Sequence, residues 1–185
     1  MNYAKLAFTD TVKKLQTQND SRANYERMEK FISKEGLTPN EISLIKTRDS
    51  FYMASFGEND FPYIQHRGGP KGFLKVIDPK TLAFLDFSGN RQYISVGNIA
   101  TNNKVSLILV DYPRRARLKI YAETEVFSLS ENPDLSDRLK LSDYKYQPER
   151  IMMFHIKAYD WNCPQHITPR YTVEEVENLM ALQEE

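Results

Sequence analysis

Between Ser50 and Trp161 the chain passes through a series of short apolar segments, each ended by a Gly-, Pro-, Asn- or Asp-containing turn. This punctuation limits the possible folds more than any other feature. The segments are Ser50–Phe56, Pro62–Gln65, Phe73–Ile77, Leu82–Phe87, Val105–Tyr112, Arg117–Phe127 and Arg150–Trp161. They are rich in aromatic and β-branched residues, which suit a pleated surface. Gly57-Glu58-Asn59-Asp60, Asp78-Pro79-Lys80-Thr81 and Pro113-Arg114-Arg115-Ala116 supply turn chemistry between them. In Arg117–Phe127, Leu118, Ile120 and Ala122 alternate with Lys119, Tyr121 and Glu123, the pattern of a strand with one wet face. The expectation is a mainly β protein of six or seven antiparallel strands in hairpin order. Strands of that number tend to close into a barrel and so remove their edges.

Helices are expected around this sheet. Leu6, Val12, Leu15, Met28, Phe31 and Ile32 recur at three- and four-residue steps over residues 3–35, with a polar break at Gln16–Ala23, and predict two helices. Thr38-Pro39-Asn40-Glu41 combines a cap, a first-turn proline and a capping-box acid, opening a helix to about Arg48 that buries Ile42 and Ile45. Asn90–Thr101 reads as a short helix capped by Asn90 or Ser88, and Asn132–Leu141 as another. Thr172-Val173-Glu174-Glu175 is a second capping box, opening a helix to about Leu182. The whole, residues 1–185, is expected to be a single domain with residues 1–48 as a helical extension on the barrel.

Composition narrows the partners. Twenty-five Lys and Arg balance 25 Asp and Glu, so nothing global attracts nucleic acid or an anionic membrane. A single cysteine excludes an internal disulfide. No apolar run approaches the roughly 20 residues of a membrane span, and the N-terminus lacks the basic-then-apolar form of a signal peptide. A cytoplasmic protein is expected. No G-x-G-x-x-G element follows a strand, so no Rossmann nicotinamide domain is expected.

Any cationic site must therefore be local, and two segments qualify. Gln65–Gly72 and Ser88–Asn98 carry Arg67, Lys71 and Arg91 among Gly68, Gly69, Gly89, Ser88, Asn90, Gln92, Ser95 and Asn98. Glycines let backbone N–H groups approach a ligand and the cations supply charge, a mixture that suits an anion. Arg91 sits at an expected helix start, where backbone donors and the helix dipole already favour one. Ser95 and Asn98 follow it at helical spacing. His66, beside Arg67 on an alternating strand, is expected on the opposite face. Cys163 and His166 have C-x-x-H spacing, but two ligands do not make a zinc site, and no metal is expected. Their Pro-containing loop reads as a rigid closure over a partner subunit's pocket. Trp161 is expected to pack on the barrel, and Arg114–Arg117 to form a solvated basic tip.

Three blocks, Y-I-Q-H-R-G-G-P-K-G-F at Tyr63–Phe73, D-F-S-G-N-R-Q at Asp86–Gln92 and D-W-N-C-P-Q-H-I at Asp160–Ile167, resemble the pyridoxamine 5′-phosphate oxidase-related flavoproteins of FMN-binding split β-barrel fold. The likeness runs from Ser21-Arg22 and Tyr25 to the C-terminal helix. It implies a homodimer with FMN at the subunit interface and flavin-dependent oxidation or reduction of a small molecule. It places Arg67, Lys75 or Lys71, and Ser88, Asn90, Arg91 and Gln92 at the flavin phosphate, with Gln65 and Phe73 bordering the ring. The chain lacks the tryptophan and R-L-x-P-type ending that binds substrate phosphate in the oxidases proper, so vitamin B6 phosphate is not the expected substrate. A noncatalytic dimeric module that binds a flavin or another planar ligand is the alternative.

Overall fold

The computed structural model of the protein describes residues 1–31 and 34–182. The elements run α1 (Tyr3–Ala7), α2 (Asp10–Gln18), α3 (Arg22–Phe31), α4 (Pro39–Thr47), β1 (Ser50–Phe56), β2 (Pro62–Gly68), β3 (Lys75–Asp78), β4 (Thr81–Phe87), α5 (Ile94–Thr101), β5 (Lys104–Asp111), β6 (Ala116–Ser128), α6 (Pro133–Leu139), β7 (Pro148–Trp161) and α7 (Val173–Ala181). All seven strands join one sheet in the order β2-β1-β5-β6-β7-β4-β3, and every pairing is antiparallel. Among the described residues no helix is long and apolar enough to cross a membrane.

The sheet curls without closing. Phe51 of β1, second in the order, meets Phe84 of β4, sixth in the order, edge-on with ring centroids 5.5 Å apart. It meets Phe154 of β7 at 6.2 Å. The core fills the inside of that curl with Phe51, Met53, Leu107, Leu109, Leu118, Ile120 and Phe154, all essentially buried. Each contributes about 1.5–3 kcal/mol by leaving water. β6 and β7 are the longest strands, and a register shift between Tyr121 and Ala122 adds the local bend that so long a ribbon needs to follow the curl. The end strands β2 and β3 do not pair with each other, so the expected closure is incomplete and the barrel is split.

β4 is buried on both faces because α6 covers its outer side, where Ala83, Leu85, Leu135, Leu139 and Ile151 form a second apolar cluster. Asn132 caps α6 by accepting from the Leu135 N–H at 3.2 Å. In α4 the Thr38/Glu41 capping box is present, and Glu41 is almost fully buried. Its carboxylate also accepts from Trp161 Nε1 at 2.5 Å and the Tyr159 hydroxyl at 3.2 Å. Trp161 thus ties the end of β7 to α4, packed against the core as expected.

Residues 1–31 differ from expectation. Three helices form instead of two, with breaks at Phe8–Thr9 and Asn19–Ser21, because Asn2 and Thr9 each cap a new start. Leu6, Leu15 and Phe31 are exposed. Tyr3 supplies the contact to the sheet, stacked on Tyr121 at 5.3 Å. The expected continuation through Ile32 lies outside the described residues.

Candidate functional site

β2 is an edge strand with a covered inner face. Arg67, Gln65 and Tyr63 stand opposite Phe51, Met53 and Ser55 of β1, which point into the core, so these three point inward as well. They border a cavity of about 290 Å³. The gap between the unpaired ends of the sheet leaves it open. Arg67 reaches across that gap to the end of β4, where its Nη1 donates to Asp86 Oδ1 at 2.5 Å. The β4–β7 register sets Asp86 opposite Arg150, whose Nε lies 3.6 Å from Asp86 Oδ2. Arg150 also pairs with Glu149, and its guanidinium lies 5.0 Å from the Tyr93 ring centroid.

The opposite wall is the loop from β4 into α5. Arg91 and Tyr93 both take left-handed backbone conformations, φ 57° and 55°. Such conformations cost about 1–2 kcal/mol each for residues with a side chain, and strain of this kind concentrates at ligand clamps. Here it turns the chain so that Arg91 and the first turn of α5 (Ile94, Ser95 and Val96) border the cavity. The first intrahelical bond runs from the Gly97 N–H to the Tyr93 carbonyl at 2.8 Å. The three N–H groups before it therefore have no partner within the helix, and the positive end of the helix faces the cavity wall. The expected cap at Asn90 or Ser88 does not form. Asn90 Oδ1 accepts from the Gln92 N–H at 3.2 Å, and the Ser88 N–H donates to the Gln147 carbonyl.

The electrostatics are unbalanced. Asp86 is 5% exposed. Burial pushes its carboxyl above the usual range, and the opposing Arg67 and Arg150 charges do not cancel that effect although both sit beside it. Glu149 is held below the usual carboxylate range, first by the Ser88 hydroxyl and also by Arg150 and Arg91. Arg67 Nε is buried with no hydrogen-bond partner. Arg91 makes no ion pair among the described residues.

Of the residues expected at an anion site, Gln65, Arg67, Asn90, Arg91, Gln92 and Ser95 border this one cavity. The others stand elsewhere. Lys71 pairs with Glu174 of α7 at 2.6 Å, and Lys75 lies on β3 opposite Ala83. Phe73 is buried in the core, stacked on Phe51 at 5.7 Å, because it precedes β3 and its ring fills the inside of the curl. Asn98 turns from the cavity to donate to Ser55 Oγ at 3.0 Å. Ser88 contributes through Glu149. Arg150, Glu149, Asp86 and Tyr93 were not anticipated. The signal for Arg150 is a charged Glu149-Arg150 pair immediately before the apolar run Ile151–Phe154, and only the β4–β7 register gives it meaning.

Cys163 and His166 lie beyond the other end of β7, roughly 35 Å of strand from Arg150 at ~3.3 Å per residue. Arg117 Nη2 donates to the Cys163 carbonyl at 3.0 Å and Arg115 Nη2 to the Pro164 carbonyl at 3.3 Å, so the basic hairpin holds this loop. Among the described residues no group of three or more His, Cys, Asp or Glu is placed to hold a metal ion.

Similar folds occur in solved structures. HupZ of Group A Streptococcus is 14% identical, with a TM-score of 0.55 over 73% of this chain and 100% of that one. An FMN-binding protein from Syntrophomonas wolfei is 18% identical, with a TM-score of 0.53 over 81% and 97%. A protein of the pyridoxinephosphate oxidase family from Clostridium acetobutylicum is 16% identical, with a TM-score of 0.51 over 74% and 94%. No curated protein matches the chain in sequence. The model of the pyridoxamine 5′-phosphate oxidase family does match, over residues 37–156, which span α4 through most of β7 and include every residue named at the cavity. The chain belongs to the pyridoxamine 5′-phosphate oxidase family.

Proposed function

We propose that the cavity grips the phosphate of FMN and that the protein is a flavin-dependent oxidoreductase working as a homodimer. One observation carries the reading: Arg67, Arg91 and Arg150, from three separate parts of the chain, converge on one cavity beside the open N-terminus of α5. Family membership and the fold shared with an FMN-binding protein support it. The donor set fits a phosphate. Arg67 keeps a buried Nε without an acceptor, and the N–H groups of Ile94, Ser95 and Val96 are free of helical bonds. Gln65, Asn90 and Gln92 add neutral polar groups for the sugar-alcohol chain and the ring edge.

Size and surface support the dimer. Ligand pockets run from roughly 300 to 1,000 Å³, so a cavity of about 290 Å³ encloses the phosphate end of a flavin nucleotide and not its ring. The outer face of the β1–β2 hairpin carries Tyr52, Phe56 and Ile64, all exposed, and Phe61 in the adjoining turn is 75% exposed. A second copy docked on this face would bury these exposed side chains.

The flavin ring, once bound, supplies the hydride or electron transfer. The chain's own residues bind, orient and neutralise. Arg67, Arg91 and Arg150 fix the phosphate, and Tyr93 holds Arg150 in place through its ring. The substrate is a small molecule other than vitamin B6 phosphate. Native purification tests the reading: the protein should be yellow, release FMN on denaturation, and lose its colour in Arg91→Ala while remaining folded. Bleaching by a reduced nicotinamide nucleotide and reoxidation by an acceptor would mark an enzyme. A spectrum that stays oxidised throughout would mark a binding module. A colourless protein that ignores added FMN would overturn both.

A further inference from the structure

The candidate site holds a buried acid where an anion has to enter. Asp86 sits on the cavity wall, 5% exposed, between Arg67 of β2 at 2.5 Å and Arg150 of β7 at 3.6 Å. The other charged or titratable groups on the walls are Glu149 of β7, Arg91 and Tyr93 of the loop before α5, and Tyr63 and His66 of β2. Three guanidinium groups therefore face two carboxylates, and Asp86 occupies donors that a phosphate would use.

We propose that Asp86 is a stand-in for the ligand's anionic group, and that capture of a phosphate dianion in this cavity takes up a proton on Asp86. This inference rests on the anion-binding reading above. In the empty cavity an ionised Asp86 keeps Arg67 and Arg150 from repelling each other and holds them in the binding geometry. A phosphate carrying −1.5 to −2 charges takes over their donors and sets negative charge beside Asp86. In a half-buried site that repulsion is screened less than in water. Protonating Asp86 removes it and leaves the hydroxyl able to donate to a phosphate oxygen. The proton comes from solvent and nothing else changes hands. Burial already holds Asp86 above the usual carboxylate range, the same direction as the proposed uptake. Glu149 differs. Its shift is downward and its nearest partners are Ser88 and Arg150, so it stays ionised.

The sign follows from linkage. Because the bound state holds more protons, affinity falls as pH rises through the window between the free and bound values of Asp86. The ligand's own second ionisation, near pH 6, acts in the opposite sense, and Asp86→Asn separates the two. The test is calorimetric titration of the full-length protein with FMN near pH 7, in two buffers of different ionisation heat. The native protein should take up about half a proton or more beyond the value for Asp86→Asn. Equal proton counts in the two proteins would overturn the proposal. If the variant does not fold, the carboxyl ¹³C shift of Asp86 in the native protein must move toward the protonated position on FMN addition, and an unmoved signal is equally fatal. Inorganic pyrophosphate is the second probe. Uptake with pyrophosphate but no binding of FMN sinks the flavin reading and keeps this one. FMN binding without uptake does the reverse, and failure of both probes to bind sinks both.

Discussion

Strand β7 ends on a buried carboxylate at each side: Asp86 beside Arg150 at its start, and Glu41 beneath Trp161 at its finish. The two acids are equally hidden, at 5% and 3% exposure. Burial opposes the charge of both. Glu41 overcomes it, because the Thr38 hydroxyl, Trp161 Nε1 and the Thr38 N–H donate to it and the Lys34 charge lies close by, and its carboxyl falls below the usual range; the Tyr159 hydroxyl donates as well. Burial, together with the Glu41 charge, pushes the Tyr159 phenol up to about 12. Asp86 has two guanidinium groups and no such shell of neutral donors, and its carboxyl rises. A closed polar network ties α4 to the sheet, and an unfinished one borders the cavity.

Substitutions at the two acids should separate these roles. Glu41→Ala removes the acceptor of four donors and the N-terminal box of α4, and should cost about 3–5 kcal/mol in chemical unfolding. FMN affinity of the folded fraction should be unchanged. A loss below about 1 kcal/mol would show that the network is not closed. Asp86→Asn keeps an acceptor of the same shape and removes a charge that the fold disfavours. Its stability change near pH 7 should stay within about 1 kcal/mol, while the proton linkage of ligand binding changes. A loss as large as that of Glu41→Ala would erase the distinction.

The pH dependence of stability should differ in sign between the two. Glu41, with a lowered value, contributes stability above the unfolded carboxylate range that is lost as pH falls through its folded value. Asp86, with a raised value, contributes stability that is complete below the unfolded value of 3.8 and lost as pH rises through its folded value. Unfolding profiles of native protein and Asp86→Asn should therefore converge in acid and diverge above the carboxylate range, with the variant the more stable member. The smallest effect is expected at Lys71. Its pair with Glu174 is exposed on both sides, so Lys71→Ala should leave the melting temperature and FMN affinity unchanged within error.

The contrast also explains what the sequence could and could not disclose. Local chemistry was legible. Both capping boxes, the helix after Asn132 and the strand segments appear close to where the sequence pattern places them, because each depends on residues a few positions apart. The site was half legible. Arg67 and Arg91 share a cavity, and Gln65, Asn90, Gln92 and Ser95 join them. Arg150 escaped because its role comes from a register with β4 more than sixty residues away. The resemblance places Phe73 at the ring and helical spacing places Asn98 beside Arg91, yet the curl of the sheet sends one into the core and the helix start turns the other toward Ser55. Arg91 itself precedes α5, since the left-handed turn at Tyr93 delays the helix to Ile94.

The central claim is that this cavity grips a phosphate, and paired titrations with FMN and riboflavin test it most directly. Two or three charge-assisted bonds at about 1.5–3 kcal/mol each predict that FMN binds at least ~100-fold more tightly than riboflavin. The same account predicts that Arg91→Ala narrows that gap by about 10-fold or more. Equal affinity for the two flavins, or a gap that survives Arg91→Ala intact, would contradict it.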